Sequence, residues 1–203
     1  YREFDDPLPR HHAAWLLASA DGGENFAARH LVAEDPEHGV YYWDQRLCAG
    51  PGARELTAMF WTHDLRREQD LNVHLRRAVL GEAGLEASPI APTPIPGQIA
   101  APLWLDNGRL AALVVDRGQP STIRLWQSPD GGASWPENEA LVVYTHDEQA
   151  LLTQGRESID YSAYWVDMAR WSFGHPTLCR LDGDRVLAVY YAGPPDNMSV
   201  HWA

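Results

Sequence analysis

The fold class this sequence predicts is all-β, a β-propeller of four-stranded antiparallel blades. Three observations predict it: a turn octapeptide that occurs twice, an apolar strand that recurs three times, and Asp/Gly-rich turns between apolar runs. Ser128-Pro-Asp130-Gly-Gly132-Ala-Ser-Trp135 fits S-x-D-x-G-x-[ST]-W at every fixed position. Ser19-Ala-Asp21-Gly-Gly23-Glu-Asn-Phe26 keeps the Ser, Asp and Gly, with Asn25 and Phe26 in the last two fixed places. An Asp carboxylate can collect local backbone N–H groups, Gly supplies positive φ, and the closing aromatic ring can fold back onto a sheet.

The two octapeptides start 109 residues apart, about twice a blade length of roughly 40–60 residues. A decayed copy belongs between them, and the stretch from Ala78 to Leu85, after Leu71–Leu75, occupies that place. The recurring strand appears as Arg54–Phe60, Arg109–Val115 and Arg185–Tyr191, at steps of 55 and 76 residues. The longer step holds an extra segment, His146–Ser172. Leu105-Asp-Asn-Gly108 and Leu181-Asp-Gly-Asp184 precede two of the strands and carry hairpin chemistry.

In order, the chain is expected to open on a third strand (Ala14–Ala18) and an outer strand (His30–Glu34). A full unit runs from Val40 to about Pro92, and another from Ile99 to about Thr145. An inner strand (His175–Leu181), a second strand (Arg185–Tyr191) and a third strand (Ser199–Trp202) end it. The stretches Arg66–Asp70 and Glu157–Ala163 have no assignment. One partial propeller domain over 1–203 results, with blades at about 1–38, 39–92, 97–145 and 173–203 and an insertion at 146–172. Propellers close with about 4–8 blades, so a little over three form a partial ring. A longer chain or a second copy is expected to supply the rest.

Composition narrows the function. The net charge is −12 and all sixteen basic residues are Arg, which excludes a phosphate-tracking nucleic-acid binder, Schiff-base lysine chemistry and a P-loop lysine in this stretch. Guanidinium forks match carboxylates. Nine Trp and eight Tyr suit strands and sugar-binding clefts alike. Cys48 and Cys179 lack metal-ligand spacing; a disulfide and two buried free thiols both stay open. His11-His12 and His63-Asp64 have no second pair at useful spacing, so no metal is expected. No apolar run is long enough to span a membrane. No signal peptide is visible in a stretch that starts at Tyr1, and the compartment stays unknown.

The run Pro96-Gly-Gln98, Pro102–Arg109, Asp116-Arg117, Ile123-Arg124, Ser128–Trp135 and Val142–Tyr144 resembles consecutive blades of the sialidase-like (BNR, or Asp-box repeat) six-bladed propellers. So does Phe173–Leu178 with Asp182–Arg185, Val189–Tyr191 and Val200–Ala203. This resemblance spans nearly the whole chain and is specific for the superfamily, not for one activity. It implies a site at the propeller mouth opposite the Asp-box turns. There Arg residues grip a substrate carboxylate, an Asp serves as acid/base, and a Tyr assisted by Glu is the nucleophile. The Tyr is expected in a G-Y-S-like motif, where this chain reads Gly174-His175-Pro176. The pattern's opening Arg and Asp would lie before Tyr1.

Starts of inner strands converge on a propeller axis, which predicts that Asp44, Arg46, Gln98 and His175 come together. The 55- and 76-residue steps make Asp44, Ile99 and His175 equivalent positions. Asp44 and His175 are the catalytic candidates, as acid/base and as proton shuttle or sugar ligand. Arg46, Gln98 and Arg117 are candidates for substrate binding; for Arg117, Asp44 and His175 a blade-to-blade bond is the competing role. In the insertion, Asp160, Tyr161, Tyr164 and Trp165 place aromatic planes beside carboxylates, as sugar-binding loops do. The same segment reads equally as packing against a further blade.

The function expected is a sialidase-like glycoside hydrolase, without a cofactor, acting on a sugar at the axial mouth. Its partner would be a carbohydrate, an acidic sugar included, with no nucleic acid and no membrane. The alternative is a carbohydrate-binding or protein-interaction propeller without catalysis.

Overall fold

The computed structural model describes residues 12–146, 172–182, 185–194 and 196–203. The first seven strands are β1 (Ala13–Ala18), β2 (Ala28–Glu34), β3 (Val40–Ala49), β4 (Glu55–Asp64), β5 (Gln69–Gly81), β6 (Gly84–Ala87) and β7 (Ala91–Pro92). The next seven are β8 (Ala100–Trp104), β9 (Leu110–Asp116), β10 (Thr122–Ser128), β11 (Leu141–Thr145), β12 (Phe173–Arg180), β13 (Val186–Ala192) and β14 (Ser199–Trp202). A 3₁₀ turn at Glu137–Glu139 is the only helical element among the described residues. All strand pairing is antiparallel, and the chain is all-β.

Four sheets follow one another along the chain and none closes on itself. They are β1-β2, then β3-β4-β5-β6 with β7 also on β5, then β8-β9-β10-β11, then β12-β13-β14. The decayed octapeptide lies at the β5–β6 hairpin, where Gly81 pairs with Gly84. The unassigned stretch Arg66–Asp70 contributes the β4–β5 turn, capped by Asp64 Oδ1, which accepts from the Arg66 and Arg67 amides.

Each apolar cluster lies between consecutive sheets, and strand alternation sorts the side chains. On β9, Leu110, Ala112 and Val114 face a cluster with Met59, Val73 and Leu75 of the preceding sheet. Leu113 and Val115 face the other way, toward Phe173, Ala188 and Tyr190 of the following sheet. With both faces covered, β9 carries an unbroken apolar run rather than an alternating one. β4 repeats the arrangement: Ala58 and Phe60 meet Val32 and Ala33, while Met59 joins the opposite cluster. Burying a side chain such as Leu113 contributes about 2 kcal/mol, an upper figure against an extended unfolded chain. The outward face of the last sheet is open: Val200 and Trp202 pair with Tyr191 and Val189, and Trp202 is 77% exposed.

Both octapeptides fold alike. Asp130 Oδ1 accepts from the Ser128 hydroxyl (2.8 Å) and the Ser134 amide (2.8 Å), and Oδ2 accepts from the Ser134 hydroxyl (2.6 Å). In the first copy Asp21 accepts from Ser19, the Asn25 amide and the Asn25 side chain. These bonds favour the ionised form and pull both carboxyls down to about 2, chiefly through Ser134 for Asp130 and Ser19 for Asp21. The closing rings diverge: Trp135 is buried and its indole N–H donates to Gly132 O, whereas Phe26 is 57% exposed.

Candidate functional site

The first strands of three sheets lie side by side, with β8 between β3 and β12. Two of them are interrupted at the same place. The β3–β4 register shifts between Trp43 and Arg46, and the β12–β13 register shifts between Gly174 and Thr177. A bulge re-aims the side chains it carries. Asp44 and His175 sit on these bulges with φ of 38° and 45°, a region costly for residues with a Cβ. Ile99, the matching position by repeat spacing, lies just before β8 and is buried; its carbonyl accepts from the Val115 amide.

Arg46 joins the two bulges. Its Nε lies 2.9 Å from Asp44 Oδ1, an ion pair without hydrogen-bond alignment, and its Nη2 donates to His175 Nδ1 at 3.0 Å. A guanidinium has donors only, so Nδ1 is the acceptor and the ring proton of this contact sits on Nε2. Asp44 Oδ2 and His175 Nε2 make no hydrogen bond among the described residues. Asp44 and Arg46 are each 27% exposed at the side chain, and His175 is exposed. The sequence expectation brought Asp44, Arg46, Gln98 and His175 together; the structure joins Asp44, Arg46 and His175 and bonds Gln98 to Asp70 and Arg117 instead.

Gln98 and Arg117 belong to a second chain of bonds across the same strand ends. Buried His63 meets Asp70 Oδ1 at 2.7 Å through Nδ1, and Gln98 Nε2 donates to Asp70 Oδ2 at 3.1 Å. Gln98 Oε1 accepts from Arg117 Nη1, and Arg117 Nη2 donates to Phe173 O at 2.7 Å. The guanidinium also lies 5.2 Å over the Phe173 ring. Gly174 makes room for this: a Cβ there would stand 2.7 Å from Arg117 Nη2 and 3.0 Å from the Tyr191 hydroxyl. Both Arg117 terminal nitrogens thus tie sheets together, which is the competing role the sequence offered for it.

His63 and Asp70 were not among the sequence candidates. Asp70 closes the polar stretch Arg66–Asp70, and only the β4–β5 register brings it opposite His63. Asp160, Tyr161, Tyr164 and Trp165 lie outside the described residues. Beside that segment, Ser172 Oγ is 3.0 Å from His146 Nε2, and the Tyr144 hydroxyl is 2.9 Å from His146 Nδ1. Among the described residues no three His, Cys, Asp or Glu side chains group as metal ligands.

A cleft of about 440 Å³ opens at the other ends of the same strands, lined by Cys48, Pro51, Leu103, Trp104, Asp106 and Arg180 among others. It does not coincide with the Asp44 cluster. Its polar chemistry is occupied: Arg180 pairs with Asp106, and Trp104 Nε1 donates to Thr57 Oγ1 at 2.9 Å. Burial pushes the Cys48 thiol up to about 11, so it is not a nucleophile at neutral pH. Both cysteines are free, and Cys179, on an edge-facing position of β12, is exposed rather than buried.

No family model matches the chain, and no curated protein matches it. Among solved structures it is similar to a protein of unknown function from Dyadobacter fermentans DSM 18053, with a TM-score of 0.63 and 20% identity. The match covers 92% of this chain and 43% of that one, so the chain spans less than half the length of that protein. At this identity the likeness is one of fold.

Proposed function

We propose that the four sheets are consecutive blades of a β-propeller and that the Asp44–Arg46–His175 cluster is a carbohydrate-binding site at its mouth. The propeller reading rests on the sheet order, on a core between each consecutive pair of sheets, and on the adjacent first strands β3, β8 and β12. One observation carries the binding reading. A carboxylate oxygen and an imidazole nitrogen, neither hydrogen-bonded among the described residues, are held together by one arginine on two strand bulges. Left-handed conformations at non-glycine residues persist where the surrounding structure over-determines them, and they cluster at ligand sites. An acceptor and a donor presented together suit sugar hydroxyls.

Glycoside hydrolysis is the second reading, favoured by the partly accessible Asp44 carboxylate as general acid/base. Against the paired-carboxylate scheme, Asp70, the carboxylate that Gln98 and His63 contact, has both oxygens occupied. The test is a saccharide-binding panel and an aryl-glycoside turnover assay on the wild type, Asp44→Asn and His175→Ala. Binding weakened at least tenfold in both variants is the expected result. Absence of binding to every saccharide contradicts the proposal, and turnover lost in Asp44→Asn moves the site to the second reading.

A further inference from the structure

The sequence offers Arg46 and Arg117 as clamps for an acidic sugar, and the resemblance to sialidase-like propellers points the same way. The side-chain bonds point elsewhere. Arg117 donates from one terminal nitrogen to Gln98 and from the other to the Phe173 carbonyl, and it lies against the Phe173 ring. Turning it toward a ligand would break the links among β8, β9 and β12. The Nε–Nη2 edge of Arg46, one of the two edges that can fork a carboxylate, faces Asp44 and His175. The charge of Arg46 is already matched by Asp44, 2.9 Å away.

An incoming carboxylate would therefore meet an Arg46 whose side-on fork is engaged and whose charge Asp44 already balances. The pair carries no net positive charge to attract a carboxylate, and the near Asp44 carboxylate repels one. Among the described residues, the groups that make no hydrogen bond are instead an acceptor, Asp44 Oδ2, and a donor, His175 Nε2–H. That pairing fits hydroxyl groups, each of which can give or take a hydrogen bond.

From this we infer that the ligand of the Asp44–Arg46–His175 cluster is a neutral saccharide. One hydroxyl donates to Asp44 Oδ2 and another accepts from His175 Nε2, while Arg46 positions both side chains. The inference rests on the carbohydrate-binding reading above and narrows it to a ligand class that excludes acidic sugars.

The test titrates the full chain, with ¹⁵N-labelled histidine, against methyl glucoside and methyl galactoside, and separately against methyl glucuronide and N-acetylneuraminic acid. The neutral glycosides are expected to shift the His175 Nε2 resonance and bind at least tenfold more tightly than the acidic sugars. Asp44→Asn, which removes the repelling charge at constant shape, is expected to narrow that ratio. Arg46→Gln is expected to weaken neutral-sugar binding by about tenfold and broaden the His175 signals. An acidic sugar that binds more tightly than its neutral counterpart overturns the inference and leaves the carbohydrate reading standing. Failure of all four probes to bind overturns both.

Discussion

Asp44 and His175 share a backbone feature and an arginine partner. Each lies on a β-bulge of the first strand of its sheet, each has positive φ, and Arg46 reaches from one to the other. Between them, the repeat spacing puts Ile99, buried and apolar, just ahead of β8. Two strained residues are a local cost that the scaffold carries.

That cost gives a first prediction. Replacing Asp44 or His175 by Gly relieves the left-handed backbone and is expected to raise stability by up to about 1 kcal/mol while removing saccharide binding. Urea denaturation midpoints beside binding titrations check it. A loss of stability in both variants means that the bulges are held for packing rather than for the site.

Gly174 gives a second. Ala at this position puts a methyl group against Arg117 Nη2 and the Tyr191 hydroxyl. Overpacking of this kind costs about 1–3 kcal/mol. Thermal unfolding of Gly174→Ala is expected to fall accordingly, with Arg117 displaced from the Phe173 carbonyl in its structure.

Thr57 and Trp104 link two consecutive sheets through one buried hydrogen bond. Thr57→Val keeps the shape and strands the indole N–H, so it is expected to destabilise by about 1–3 kcal/mol. Trp104→Phe in the Thr57→Val background removes the stranded donor. A double-mutant cycle should then show coupling between the two positions.

The two octapeptide carboxyls set an acid limit. Their folded values, about 2, lie below the unfolded value of 3.8, so their contribution is full above the unfolded value. It declines as pH falls from about 4 through 2, and it is unchanged between neutral pH and pH 5. Asp130→Asn is expected to flatten stability over that acid window, measured by denaturation at stepped pH. Asp130→Ala should lower the melting temperature more than Asp21→Ala, because only the second copy also holds a buried Trp135.

Most of the strand order was legible because its signals are local. The octapeptide determines a turn within eight residues, and a run such as Leu110–Val115 is unbroken only where both faces are covered. Ser199–Trp202 matches β14 residue for residue. The meeting of Asp44, Arg46 and His175 was legible too, from the spacing of the repeated strand. The bulges were not, since a bulge is a mismatch between two strands and leaves no mark on either alone. Nor was the use of Arg117: its partners, Gln98 and the Phe173 carbonyl, lie 19 and 56 residues away. Phe26 shows the limit from the other side, because a ring in the Trp135 place of the motif stays exposed when no apolar neighbour receives it.

The most direct test of the account is a crystal structure with a saturating neutral saccharide. The sugar is expected at the bulges of β3 and β12, with hydroxyls on Asp44 Oδ2 and His175 Nε2 and with Arg46 unmoved between them. A sugar seated instead in the cleft beside Trp104 and Arg180, with the Asp44 cluster untouched, would contradict it.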